Sequence, residues 1–313
     1  MVLKKIGNLW KKNNNPNLSG LVPDFDELTE IKKYVPYLKG FKFNGASNRA
    51  GDFKSSFKGR GMEFEEVRSY TFGDDVRDID WRVTARKNQP YTKLYAEEKD
   101  RVVYVWLDVS ADMRFGTKKE LKSVTAAKVA ALLGWFALSN KDRFGLMVYD
   151  GNKTHIFEPK RDYNHLLTIL KKIEKIAKET LFVKNESQEK LKSLQLAIKR
   201  IGKKAIVFLI GGFDVSDDEK LKHEISALCS VNDVCLINIY DALEYIAPPK
   251  GQYLAEYKQK QQLITNSGTA YEQEYETYFL QKRKNIRDFC AKFNCRYREV
   301  RSDLSIIEQI RPI

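Results

Sequence analysis

The chain has 313 residues, 42% hydrophobic and 31% charged, so it can bury one large core or two ordinary ones and is not a wholly disordered polymer. No stretch approaches the roughly 18 consecutive apolar residues of a membrane span, and the first twelve residues lack the apolar core of a secretory leader; a cytoplasmic protein without a membrane span is expected. The net charge of +13 admits nucleic acid, anionic membranes or acidic proteins as partners. However, Lys and Arg are spread along the chain without RNP, helix-turn-helix or zinc-finger signatures, so dedicated nucleic-acid binding is not expected.

Residues 1–23 read as a mobile basic tail, with Lys4, Lys5, Lys11 and Lys12 around Leu9 and Trp10 given to solvent rather than to a membrane surface. A short helix is predicted over 24–35, where Asp24 and Glu27 have capping-box spacing. Residues 40–100 carry glycines at 40, 45, 51, 59, 61 and 73 and read as short strands and irregular loops, with a strand over Tyr91 to Glu98. From residue 101 the pattern becomes regular. Strands are predicted at 102–107, 144–149, 205–210, 234–240 and 295–300, and helices at 120–139, 163–178, 188–201, 216–230, 270–292 and 303–310. Thr154 to Phe157 is read as a hairpin partner across the turn dipeptide Asp150-Gly151. Cys229 and Cys290 fall on predicted helices and Cys235 and Cys295 in predicted strands. Their spacings are unlike a zinc knuckle, and they are read as reduced, packed thiols. Apolar strands alternating with helices specify βαβ units, hence a doubly wound α/β fold with a mostly parallel sheet, and such folds bind ligands beyond the carboxyl ends of their strands.

Two segments carry chemistry. Asp108, Ser110 and Asp112 alternate on the loop after the first long strand, and their oxygens are hard ligands suited to magnesium or manganese. Acids on such loops also cap the following helix. The second segment, Gly59 to Arg86, interleaves acids and arginines with Tyr70, Phe72 and Trp81. Two readings stand: an ion-pair scaffold holding a loop-rich segment rigid, with Arg77 and Arg86 pairing to carboxylates among Asp74, Asp75, Asp78 and Asp80, or a metal-dependent hydrolase using those same acids. The scaffold is favoured, because no nucleophile–base pair lies nearby and His155, His165 and His223 all fall elsewhere.

The stretch Gly59 to Gly116 resembles the signature of the DUF58 family. Its middle block stands in full as Tyr70, Gly73, Asp74, Asp75, Arg77, Ile79, Asp80, Trp81, Ala85 and Arg86; Glu97-Glu98 and Asp108, Ser110, Asp112, Met113 follow, and Ser302-Asp303-Leu304 closes the likeness. The resemblance implies a von Willebrand factor A-like domain preceded by the family's own element. It also implies a role as adaptor with a MoxR-type AAA+ ATPase in assembling, maturing or activating a client protein, and a metal-ion-dependent adhesion site. This chain departs from that site: Asp112 replaces the second serine, Gly212 stands where an acid is expected, and Gln188 to Ser193 supplies no threonine. The expectation is therefore a degenerate site holding magnesium or manganese weakly at most. The expected molecule is a basic tail (1–23), a signature element (24–100) and the α/β domain (101–313), acting as a non-catalytic protein-binding adaptor. The alternatives are the hydrolase and a basic nucleic-acid or membrane-surface binder.

Overall fold

The computed structural model describes residues 18–38, 62–97, 101–183, 189–216, 218–257 and 260–310. Residues 1–17 of the predicted tail (1–23), the signature glycines Gly59 and Gly61, Glu98 and Gln188 lie outside the described residues. In chain order the elements are helix α1 (Phe25–Glu30), continued by a 3-10 segment (Ile31–Leu38), β1 (Met62–Ser69), α2 (Trp81–Lys87), β2 (Tyr91–Glu97), β3 (Val102–Asp108), α3 (Lys122–Ser139), β4 (Arg143–Tyr149) and β5 (Thr154–Lys160). They continue with α4 (Tyr163–Thr180), α5 (Lys190–Arg200), β6 (Ile206–Gly211), α6 (Glu219–Val231), β7 (Asp233–Tyr240), β8 (Gly251–Tyr257), β9 (Lys260–Asn266), α7 (Thr269–Lys292), β10 (Arg296–Arg301) and α8 (Ile306–Ile310).

The chain divides into two compact units. The smaller holds residues 44–101, and the larger joins 1–43 to 102–313. In the larger unit six strands run in the order β10-β7-β6-β3-β4-β5. All pairings are parallel except β4 with β5, the hairpin expected across Asp150-Gly151. Side chains alternate between the faces of a strand, so Val103, Val105 and Leu107 enter a core with α1, α3, α4 and α8. Tyr104 and Trp106 enter a second core with α5, α6 and α7. The doubly wound α/β class is as expected.

The expected boundary at residue 24 is corrected. Helix α3 is buried almost all round, and a helix apolar on every side needs cover on its outer face as well. Residues 25–38 supply it: Leu28, Ile31 and Leu38 join the α3 core, Trp135 Nε1 donates to the Leu28 carbonyl at 2.9 Å, and Lys128 Nζ lies 2.9 Å from Glu27. The α1 segment thus belongs to the α/β unit, not to the signature element. A further hairpin, β8–β9, paired antiparallel, was not expected from the sequence. The four cysteines are free, as read; three are buried, Cys290 and Cys295 in the α6–α7 core with Cys229 against it, and Cys235 in the core of the other face.

Candidate functional site

The larger unit gathers its loops at the carboxyl ends of β3, β6, β7 and β10. The last residue of β3 is Asp108, fully buried at 0% exposure. One carboxylate oxygen, Oδ1, accepts the Ser110 N–H at 2.9 Å. The other, Oδ2, lies 2.6 Å from the Lys190 ammonium, the first residue of α5. Lys190 also donates to the carbonyl of Gly212, just past β6, at 2.5 Å, and its ammonium stands 5.9 Å from the Trp106 ring and 5.0 Å from the Phe213 ring. One side chain therefore joins the ends of two central strands to a helix on the sheet's second face. Its aim is fixed one turn further on, where the Ser193 hydroxyl accepts Trp106 Nε1 at 3.1 Å and Thr154 Oγ1 at 2.8 Å. A cation in the first turn opposes the helix macrodipole by about 0.3–1 kcal/mol, and no acidic side chain in that turn offsets it; the buried Asp108 carboxylate does.

Of the three oxygen-bearing residues expected to converge, Asp108 and Ser110 are buried while Asp112 is exposed. Two of the three are thus closed off from solvent, and only Asp112 faces it. The neighbouring glycine explains how closely Asp108 is held: a Cβ on Gly211 would come 2.9 Å from Asp108 Cβ and 3.3 Å from Oδ2. With the Lys190 ammonium on the carboxylate and aromatic rings around it, these residues do not fit a hydrated divalent ion, which keeps oxygen ligands on every side.

A second polar group stiffens the same rim. Asp241, fully buried after β7, accepts Thr117 Oγ1 at 2.6 Å, the Thr117 N–H at 3.0 Å, the Leu243 N–H at 3.0 Å and Ser302 Oγ at 3.1 Å. Burial pushes its carboxyl upward, but the bonds from Thr117, Leu243 and Ser302 outweigh that and hold it below the ordinary carboxylate value. Glu244 completes a capping box with Asp241 and takes the buried Lys122 ammonium at 3.1 and 3.2 Å. Thus Thr117, after β3, is fastened to the ends of β7 and β10, and the family-like Ser302 has a structural partner. Around this network Phe115, Tyr245, Ile246 and Leu304 are exposed. Arg114 binds the Val183 carbonyl at 2.6 Å beside Phe182, while Tyr245 lies against Arg283 and Arg301.

In the smaller unit β1 and β2 pair antiparallel, and the signature acids hold the intervening turn. Asp74 takes Arg68 at 2.6 Å and the Thr71 N–H at 3.1 Å; the Thr71 N–H and then Arg68, against burial, draw its carboxyl below the ordinary value. Asp75 caps the 3-10 turn through the Arg77 N–H, and Asp80 caps α2 through the Arg82 and Val83 N–H groups. The scaffold is built, but not by the expected pairs: Arg77 and Arg86 are exposed and pair with no carboxylate among the described residues. Phe72, Val76 and Trp81 are also exposed. Among the described residues no set of three acidic, His or Cys side chains is arranged to hold a metal, and no helix is long and apolar enough to cross a membrane.

Sequence reasoning missed Lys190, Lys122 and the Asp241 group. The Asp-x-x-Glu spacing of Asp241 and Glu244 was a readable capping signal. Lys190 gave only the weak signal of a basic residue at a helix start.

Comparison with known proteins follows from these features. A family model described as "Protein of unknown function DUF58" matches residues 66–285. An uncharacterized protein of Mycobacterium tuberculosis is 24% identical over 201 residues, 64% of this chain and 62% of that protein, so the match spans less than two thirds of the relative's length. Among solved structures, the chain is similar to an aerotolerance-related membrane protein from Bacteroides fragilis (12% identity, TM-score 0.41, covering 64% of this chain and 91% of that one). It is also similar to the SpRpn10 VWA domain (14% identity, TM-score 0.36, covering 66% and 91%).

Proposed function

The chain belongs to the DUF58 family, and from that premise we propose that it is a non-catalytic protein-binding adaptor that engages its partners through the carboxyl-end rim of its α/β unit. The observation that carries this reading is the exposed set Phe115, Tyr245, Ile246 and Leu304 around the Asp241 group. Apolar side chains held on a rigid polar frame lose little freedom on binding and contribute apolar contact, as interface anchors do. The partners proposed are those the resemblance implies, a MoxR-type AAA+ ATPase and a client protein, met in the cytoplasm.

A second surface is favoured by one observation, the exposure of Phe72, Val76 and Trp81 in the signature block. One experiment separates the two. The purified chain is incubated with the purified MoxR-type ATPase of the same organism, and complex formation is read by size-exclusion chromatography. Phe115→Ser with Ile246→Ser is expected to abolish the complex, and Phe72→Ser with Trp81→Ser to leave it intact. The reverse pattern moves the contact to the signature block. No complex with the unaltered chain removes the ATPase as partner, and retention by both variant pairs removes both surfaces.

A further inference from the structure

We infer that Lys190 is the resident cation of the rim, standing where an A-type domain would hold a divalent ion, and that this site works without metal. The buried carboxylate has an ammonium, itself only 24% exposed, 2.6 Å from Oδ2; the contact is an ion pair by proximity, outside hydrogen-bond geometry. The same ammonium takes the Gly212 carbonyl, so its two contacts come from the ends of β3 and β6. Those are the two strand ends from which the metal reading draws its ligands. The missing ligands and the extra lysine are thus two sides of one substitution: Asp112 turns to solvent, residue 212 offers no carboxylate, and the loop that supplies no threonine supplies Lys190.

The surroundings decide between an ammonium and a metal. Trp106 and Phe213 present rings within 6 Å of the lysine nitrogen. Ring faces attract an ammonium, whereas magnesium requires oxygen at octahedral positions and parts with its water reluctantly. The missing side chain of Gly211 lets β6 approach Asp108 closely, since even a methyl there would come within 2.9 Å of Asp108 Cβ. The charge count agrees: one carboxylate against one ammonium is neutral, while a divalent ion on the same carboxylate would leave a net positive charge among aromatic rings.

This inference concerns the site alone and is tested with metal alone, apart from any partner. Calorimetric titration of the full chain with manganese and with magnesium is expected to show no saturable heat up to millimolar concentrations. Saturable binding that disappears in Asp108→Asn overturns the inference. A double-mutant cycle reads the ion pair directly. Lys190→Met should lower the melting temperature clearly, and Asp108→Asn combined with Lys190→Met should recover much of that loss, because the uncharged amide no longer needs an answering cation. Additive losses overturn the inference. Should Lys190→Met fail to fold, the combined variant alone decides: it folds if the lysine serves the carboxylate, and its failure to fold counts against that role.

Discussion

Trp135 Nε1 donates a 2.9 Å hydrogen bond to the Leu28 carbonyl, which fastens the first described helix to the most buried helix of the sheet's first face. Leu28 is wholly buried in the same core. Leu28→Ala removes packed methyl groups and leaves a cavity over α3, a change that costs about 2–5 kcal/mol. Chemical denaturation followed by tryptophan fluorescence should show that loss in the main transition of the α/β unit. If only a minor early transition moves, residues 25–38 are an appendage rather than part of the core.

Asp241 sets an acid limit on stability. Its carboxyl is held below the ordinary value of 3.8 by donors that persist only in the folded chain. A group with a depressed folded pKa contributes stability that is fully present above the unfolded value and is lost as pH falls through the folded one. The Asp241 contribution is therefore intact at neutral pH and fades below about pH 4. Thr117→Val removes one hydrogen bond to a charged acceptor and should cost about 1.5–3 kcal/mol at pH 7. The difference between variant and parent should shrink in denaturation curves taken below pH 4, and a constant difference would show that Thr117 acts through packing.

The strands were legible because parallel strands covered on both faces must be apolar throughout, and Val102 to Leu107 or Ala205 to Ile210 fit nothing else. The position of α1 was also written in the chain, though in α3 rather than in α1: a run such as Ala126 to Ala137 with no polar face requires cover on every side. The β8–β9 hairpin was not legible, since Lys258 to Gln262 is a polar run without the alternation that marks a half-buried strand. At the rim, the oxygen motif pointed to the correct loop but not to its partner. A search for metal ligands looks for oxygens, and the group that meets Asp108 is an ammonium 82 positions further along the chain.

In the signature block the structure ranks the arginines. Arg68 reaches Asp74 and the Thr71 hydroxyl at 2.6 and 2.7 Å, whereas Arg77 is exposed. Substitution at an exposed position without partners usually stays within about 0.5 kcal/mol. Arg77→Ala should therefore leave the melting curve unchanged, and Arg68→Ala should lower the melting temperature measurably. The opposite order would return Arg77 to the scaffold role that charge alternation alone suggested.

Gly211 offers a test of how tightly the rim is built, independent of any change in charge. An added methyl would meet Asp108 Cβ at 2.9 Å and Oδ2 at 3.3 Å, closer than packed atoms tolerate, and neither strand can retreat without breaking the β3–β6 register in which Leu107 pairs with Ile210. Overpacking of this kind costs about 1–3 kcal/mol. The carboxylate is the part with somewhere to go, so Gly211→Ala should push it off the Lys190 ammonium. Residues that share one interaction couple non-additively. Gly211→Ala combined with Lys190→Met should then cost less than the two separate losses together, because the second change removes a pair the first has already disturbed. Equal and additive losses in denaturant titrations would mean that the methyl is accommodated elsewhere in the sheet and that the fit of Asp108 against β6 does not set the ion pair.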